Sequence, residues 1–220
     1  MPFLDLLADA AHSHLRSKTQ VDPYEVSRSA RASIIASCLS IECFANCLIH
    51  GIDVSAGLER ELDKMPALAK IDLALRLGGK QPLDRGTREV QQAAELVKVR
   101  NDYVHPKVEV SDADVRPLED AGHEVHVPFS VTASFWPMLQ IAQQAFLWDS
   151  GASRRVLQAL ASFYRYVLAT RCQASNEDIT RLLLSRFEVG HLLMPGVYGE
   201  YTRDINALAA EGVDFGFLGL

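Results

Sequence analysis

The chain has 220 residues, enough to bury a substantial core, and its 48% hydrophobic and 23% charged residues are the composition of an ordinary globular protein. Its formal net charge of −6 argues against a protein that binds any nucleic acid through bulk positive charge. No apolar run approaches the roughly 20 residues of a membrane-spanning helix, and the N-terminal residues lack the basic region and apolar stretch of a signal peptide. We therefore expect a cytoplasmic protein with no membrane partner.

The cysteines agree with that expectation. Cys38, Cys43 and Cys47 fall inside an apolar helical pattern, and no CxxC pair indicates a zinc or redox site. We expect them to be small buried hydrophobic residues whose thiols stay reduced. The sequence predicts neither a metal site nor another cofactor.

Hydrophobic residues recur every three or four positions through most of the chain, which predicts an all-α fold. Asp22 and Pro23 are a helix start signal, and Gly51 and Gly78 are helix stops. Pro106 ends the fourth helix, because a proline disfavours the helical conformation of the residue before it. The first four predicted helices cover about 4–15, 23–49, 65–77 and, starting at 83 or 87, the residues up to 104.

Alternation with a period of two replaces the helical pattern after the fourth helix. Residues 108–110 and 124–127 alternate, which predicts a small β-hairpin over about 107–128. Further helices are predicted over about 133–148, 153–170, 177–187 and 204–210. Ser175 and Asp178 predict a capped start for the third of these.

No linker or repeat divides the chain, so we interpret residues 1–220 as one helical domain that carries one hairpin. Its core is expected between 23 and 172, followed by a C-terminal helix and tail over 173–220. His12 and His14 of the opening helix are two residues apart and face different directions, so both are expected in solvent. Aromatic residues late in the chain could supply an oligomer interface; these are Trp136, Phe146, Trp148 and Tyr164.

Charge is distributed unevenly along the chain. Residues 70–107 and 151–172 contain more basic than acidic residues, although the whole chain is acidic. Such stretches are either solvated helix faces or locally basic surfaces that attract phosphate, and the sequence leaves both interpretations open.

A carboxylate and an amide interrupt an apolar stripe of the second predicted helix. Glu42 and Asn46 lie one turn apart, in line with Leu39 and Ile49. Because an unpaired buried carboxylate is costly, Glu42 needs a partner or lies at an opening. A structural pair with, for example, an arginine of a neighbouring helix is one interpretation, and a functional opening is the other.

The strongest functional candidate is the run that ends the fourth predicted helix, Arg100-Asn101-Asp102-Tyr103-Val104-His105. Asn101 and His105 are four residues apart and share a helix face, and the long side chain of Arg100 can reach the same opening. A guanidinium binds phosphate oxygens and stabilises developing negative charge, while an imidazole moves a proton. This pair suits RNA cleavage without a metal, in which the 2′-hydroxyl is the internal nucleophile.

The same run resembles the RNxxxH motif of the HEPN superfamily (higher eukaryotes and prokaryotes nucleotide-binding). The helix that contains Glu42 and Asn46 is similar to the first long core helix of that family, and residues 70–78 resemble its intervening helix. The resemblance covers about residues 23–107. It implies an up-and-down helical bundle, a homodimer whose two motifs meet across a cleft, and a metal-independent endoribonuclease of a toxin–antitoxin or phage-defence system. The predicted hairpin after His105 departs from the bare four-helix pattern.

The resemblance also assigns roles to residues. It implies that Arg100 and His105 are catalytic and that Asn101 orients them or the phosphate. Candidate supporting or RNA-binding residues are Glu42, Asn46, Asp102, Tyr103 and Lys107. Tyr103 either stacks on a base or belongs to the core.

The implied reaction leaves 2′,3′-cyclic phosphate ends, and the implied partners are RNA, a second copy of the chain and a protein antitoxin. Two other functions stay open. One is a non-catalytic nucleotide-binding or protein-interaction module, in which the motif would be buried in a salt-bridge network with Glu42. The other is a structural subunit whose fold matters more than its chemistry.

Overall fold

The computed structural model describes residues 2–52, 55–105, 113–115, 129–131, 133–189 and 192–220. Helices dominate these residues, which confirms the predicted all-α character, and short antiparallel strand pairs accompany them. The α-helices in the described part of the chain are α1 (Pro2–Thr19), α2 (Pro23–His50), α3 (Ala56–Leu62), α4 (Ala67–Leu77), α5 (Arg88–Val104), α6 (Ser150–Arg165), α7 (Asn176–Leu183) and α8 (Gly199–Ala207).

The strands in the same residues form three separate two-stranded sheets. They are β1 (Ala113–Val115) with β2 (Phe129–Val131), β3 (Phe135–Trp136) with β4 (Ile141–Ala142), and β5 (Ser185–Val189) with β6 (Leu192–Gly196). The strands predicted at 108–110 and 124–127 lie outside the described residues. Helix α3 and the β5–β6 pair were not predicted. Helix α7 begins at the predicted Ser175–Asp178 capping box but ends at Leu183, because residues 185–187, predicted as its last turn, belong to β5 and pair with β6.

Helix α2 is the centre of the fold and packs against α1, α4, α5 and α6. Its start is fixed by Asp22, whose side chain accepts a hydrogen bond from the Tyr24 backbone N–H at 3.0 Å. Buried residues run along its length, among them Ile34, Ile41 and Phe44. The predicted bounds of this helix are confirmed to within one residue.

The length and composition of α2 would also allow it to cross a membrane, contrary to the expectation from the sequence. Its most apolar 18-residue window is 67% buried within the protein, however. Packing against four neighbouring helices therefore accounts for its apolar composition, as in the core helix of many helical folds.

Residues 133–148 do not form the predicted helix. They form β3, a turn, β4 and a 3₁₀ helix over Ala145–Leu147. The turn is held from α5, where the Glu95 carboxylate accepts hydrogen bonds from the backbone N–H groups of Met138 at 2.9 Å and Leu139 at 3.0 Å. These contacts satisfy backbone groups that a helix would have paired internally, so tertiary structure overrides the local pattern.

Two of the four aromatic residues expected at an interface lie in the core instead. Trp148 and Tyr164 are buried, and the Tyr164 hydroxyl lies 2.6 Å from Ser40 Oγ of α2. Phe146 is exposed and Trp136 is half-buried. The late aromatic residues therefore serve mainly to pack α6 and the 3₁₀ segment against α2.

His14 is also buried, contrary to the prediction that it lies in solvent. Its side chain is 1% exposed because α1 packs against both α6 and α8. His14 Nδ1 lies 2.8 Å from Ser153 Oγ of α6, and burial lowers the pKa of the imidazole. His12 is exposed, as predicted, and contacts Asp204 at 3.0 Å.

The cysteines behave largely as predicted. Cys38 and Cys47 are buried, Cys43 is half-buried, and none of the three forms a disulfide with another residue that the structure describes. Burial raises the pKa of Cys38 to about 12, which makes this thiol an unreactive core group.

Candidate functional site

The predicted motif lies at the C-terminal end of α5. The helix ends at His105, which leaves the helical conformation with φ −126° and ψ 61°. The backbone N–H of His105 still donates to the Asn101 carbonyl at 2.9 Å. A proline at position 106 accounts for this ending, since it disfavours the helical conformation of His105.

Asn101 contacts both of the predicted catalytic residues. Its side-chain Oδ1 accepts a hydrogen bond from Arg100 Nη1 at 2.8 Å. Its backbone carbonyl accepts the hydrogen bond from His105. The side chain of Asn101 thus holds the Arg100 guanidinium, whereas its carbonyl makes the last helical hydrogen bond of α5 with the main chain of His105 and not with the imidazole. The orienting role of Asn101 stays a prediction.

Arg100 is half-buried against α2, while His105 is exposed. The guanidinium is close enough to Cys38 for its positive charge to oppose the effect of burial on the pKa of that thiol. The two side chains therefore differ in freedom. The Arg100 side chain is half-buried and bonded to Asn101, and the imidazole of His105 is exposed, where a substrate can reach it.

Tyr103 lies three residues beyond Arg100, on the same side of α5. One face of its ring stacks on Trp148, with 6.0 Å between ring centroids and 21° between ring planes, and 42% of the side chain stays exposed. Asp102 and Val104 are exposed as well. Lys107, the remaining predicted contact near the motif, lies outside the described residues.

Glu42 and Asn46 form a separate cluster on α2. Lys70 of α4 is 2% exposed and donates to Glu42 Oε1 at 2.5 Å and to Asn46 Oδ1 at 2.7 Å. The structure therefore supplies the expected partner of Glu42, although it is a lysine and not an arginine. Glu42 and Asn46 thus accept hydrogen bonds from a buried ammonium group. Arg100, the arginine of the motif, bonds to Asn101 and not to Glu42.

The two basic stretches are partly neutralised by such contacts. Lys70 belongs to the first and is buried. In the second, Arg165 pairs with Asp214 at 2.6 Å, and Arg171 donates to the Tyr166 hydroxyl at 2.6 Å. Arg154 and Arg155 are exposed on α6.

A groove that the sequence did not predict adjoins the motif along the seam of α1 and α2. It has a volume of about 570 Å³. One stripe of α2 from Tyr24 to Leu39 lines it, together with Asp9 of α1 and Tyr103 of α5. We refer to it as the α1–α2 groove. The spacing of Tyr24, Arg28 and Arg31, which places all three on one helix face, is the signal that could have indicated it.

A smaller cavity of about 280 Å³ lies between α5, α6 and the β3–β4 turn. Arg88 and Arg155 contribute to its walls, and so do several glutamines. Among the residues that the structure describes, no group of three or more His, Cys, Asp or Glu side chains is arranged to hold a metal ion.

Comparison of the chain with models of protein families, with curated proteins and with solved structures gives no match.

Proposed function

We propose that this chain is a metal-independent endoribonuclease of the HEPN type, an up-and-down helical bundle that acts on RNA as a cytoplasmic homodimer. The observation that supports the proposal is that the side chains of Arg100 and His105 belong to the same end of α5. The Asn101 side chain bonds to the Arg100 guanidinium, and the imidazole of His105 is exposed. A guanidinium and an imidazole at the end of one helix are the two groups that cleavage by the 2′-hydroxyl requires.

In the proposed reaction His105 takes the proton of the RNA 2′-hydroxyl. The 2′ oxygen then forms a bond to the adjacent phosphorus, and the bond from phosphorus to the 5′ oxygen breaks. The leaving oxygen takes a proton from water or from the His105 of a second copy. Arg100 binds the non-bridging oxygens, where negative charge develops. The products are a 2′,3′-cyclic phosphate and a 5′-hydroxyl end.

The biological setting is proposed on the resemblance of the motif alone. A ribonuclease of this type would belong to a toxin–antitoxin or phage-defence system and would be held inactive by a protein antitoxin. No cofactor and no membrane partner enter the proposal.

The test is cleavage of a mixed RNA pool in EDTA. We expect the wild type to leave 2′,3′-cyclic phosphate ends. Loss of the general base in His105→Ala should slow cleavage by about 10²- to 10⁴-fold, and Arg100→Ala by about 10²- to 10³-fold. Asn101→Ala should give a smaller loss, since it removes only the side-chain contact that positions the Arg100 guanidinium and keeps the backbone bond to His105.

Two variants serve as matched controls. His50→Ala removes an exposed histidine that also ends a helix, and Arg88→Ala removes an exposed arginine at the other end of α5. Both should retain wild-type cleavage. Wild-type protein that is folded and dimeric but cleaves no RNA would refute the proposal, and so would cleavage that persists in His105→Ala.

The second candidate is a non-catalytic nucleotide-binding or protein-interaction module. The half-buried position of Arg100, bonded to Asn101 and lying against Cys38, favours it, because a guanidinium with structural contacts is less free to follow a transition state. RNA that binds without cleavage, with affinity lost in Arg100→Ala, would support this candidate.

A further inference from the structure

The α1–α2 groove combines two kinds of side chain that single-stranded nucleic acids require. Tyr24 and Tyr103 are its aromatic residues, and they are 64% and 42% exposed. Arg28 and Arg31 are its cationic residues. Aromatic rings that stack with bases and arginines that follow the phosphates are the usual composition of a single-strand binding groove.

Tyr103 is built as a rigid stacking platform. Its inner face lies on Trp148, whose indole N–H donates to the Ala142 carbonyl at 2.6 Å. Trp148 is buried, so this support cannot swing away, while part of the Tyr103 ring remains open toward the groove. A base placed there would continue an existing stack and would need little rearrangement of the protein.

The arginines are oriented by the protein and are only weakly neutralised. Arg31 Nη1 donates to Ser27 Oγ at 2.7 Å, which leaves its other donors available. Arg28 is 67% exposed and contacts the half-buried Glu25 at 3.4 Å, a surface pair that contributes little to stability. Asp9 is the one carboxylate that lines the groove in the described part of the chain. Two guanidinium groups that can each bind a phosphate therefore line the groove of an otherwise acidic protein.

The groove also leads to the motif. Tyr103 and Arg100 are three residues apart on one side of α5, and Arg100 lies against α2 at Cys38, next to Leu39 at the end of the groove. From Tyr24 to Leu39 the helix extends for about 22 Å at 1.5 Å per residue, enough for several nucleotides.

We infer that the α1–α2 groove binds the single-stranded RNA segment adjacent to the cleaved phosphodiester, with bases on Tyr24 and Tyr103 and phosphates at Arg28 and Arg31. The inference rests on the proposed ribonuclease function and extends it, since it assigns the substrate as unpaired RNA and names residues that contact it outside the motif.

The experiment measures binding apart from cleavage. The full chain with His105→Ala is titrated into a fluorescein-labelled single-stranded RNA of 12 nucleotides, and fluorescence anisotropy gives the Kd. Adding Tyr24→Ala should weaken binding by at least about 5-fold, the lower end of the effect of losing one stacked base. Adding Tyr24→Phe should leave Kd within about 2-fold, because the stacking ring is kept.

Salt dependence tests the arginines. Removing Arg28 should reduce the slope of log Kd against log salt by about 0.7, as expected when one phosphate contact to a single strand is lost. Tyr198→Ala and Arg154→Ala provide matched controls, since these residues are exposed and lie outside the groove. Both should bind RNA with the Kd of the parent and with a salt slope unchanged within error.

The outcomes separate this inference from the proposed catalysis. Groove-dependent binding in a chain whose wild type cleaves nothing would support the groove and refute the ribonuclease. Cleavage that depends on His105 but tolerates Tyr24→Ala and Arg28→Ala, with unchanged RNA affinity, would overturn the groove. A monomer–dimer equilibrium that shifts in Tyr24→Ala while RNA affinity does not would also overturn it, because the occupant would then be a second copy of the chain.

Discussion

Removing the charge of Glu42 should destabilise the protein more than removing the charge of its partner Lys70. Lys70 is buried, whereas 39% of the Glu42 side chain is exposed. Lys70→Met therefore leaves a carboxylate that water can reach, with the apolar stem of the side chain largely preserved. Glu42→Gln leaves a buried ammonium without a counter-ion, and only Asn46 continues to accept from it as before.

The magnitudes follow from that asymmetry. Breaking a buried pair costs about 3–5 kcal/mol, and we expect Glu42→Gln near the lower limit, at about 3 kcal/mol, because Asn46 remains. Lys70→Met removes the two hydrogen bonds that the ammonium donates, but it also removes the cost of burying that charge. The net loss of stability is therefore about 1 kcal/mol. In a chain of this size 1 kcal/mol lowers Tm by about 2–4 °C, so the expected decreases are about 6–12 °C and about 2–4 °C.

Urea unfolding followed by circular dichroism gives the free energy of unfolding of each variant. Glu61→Gln is the matched control, since Glu61 pairs with Lys64 at 3.0 Å on the exposed surface and should change stability by less than about 0.5 kcal/mol. A Lys70→Met variant less stable than Glu42→Gln would refute the reasoning. So would two variants that both match the control.

Two further predictions concern other buried polar groups. Burial lowers the pKa of His14 below its ordinary value of 6.5, although the negative charge of Glu211 acts in the opposite direction. The unfolded chain therefore binds more protons than the folded chain just below pH 6.5, so the contribution of neutral His14 to stability is fully present above that pH and is lost as the pH decreases. In His14→Gln the urea concentration at the unfolding midpoint should depend less on pH between pH 7.5 and 5 than in the wild type. The same pH dependence in both proteins would show that His14 is not the group that titrates. Glu95→Gln should lower the free energy of unfolding by about 2 kcal/mol, because the acceptor loses its charge and the oxygen that accepts from Met138 N–H at 3.1 Å becomes an amide nitrogen. Thermal unfolding measures this loss, and a Tm within about 1 °C of the wild type would contradict the role assigned to Glu95.

The helix ends that the sequence predicted correctly are those that carry a local signal, whereas the C-terminal end of α7, which has none, was predicted four residues too far along the chain. Asp22 caps α2, Gly78 ends α4, and Ser175 with Asp178 starts α7, and each of these is an interaction between residues close in the chain. Helix caps can be predicted from the sequence because they join residues a few positions apart, whose relative positions are set by the helix itself.

The errors occurred where distant residues decide the conformation. Residues 133–148 have a helical pattern, but Glu95, more than 40 residues earlier, binds the turn of the hairpin that forms there. His14 was misplaced for the same reason, because its burial depends on α6 and α8. No periodicity in residues 133–148 or in α1 contains that information.

The sequence predicted where the motif lies, at the end of the helix before Pro106, and the contact of Asn101 with the adjacent Arg100 is a local one that the sequence could indicate. The partner of Glu42 required the packing of α4 on α2, so the sequence indicated that a partner was needed but not that it is Lys70. The catalytic role of the motif stays a prediction.

The short connection between α1 and α2 also bears on how the chain folds. Only residues 20–22 separate these two helices, which pack along each other, so little chain entropy is lost when they meet. The β3–β4 turn instead depends on a contact between Met138 and Glu95, which closes a much longer loop of the chain. We expect α1 and α2 to associate early and to keep their amide protons longest in native-state hydrogen exchange, with the β3–β4 turn opening first. The α1 and α2 walls of the groove would then form before the β3–β4 segment that holds Trp148, so the stack of Tyr103 on Trp148 would be the last part of the groove to form.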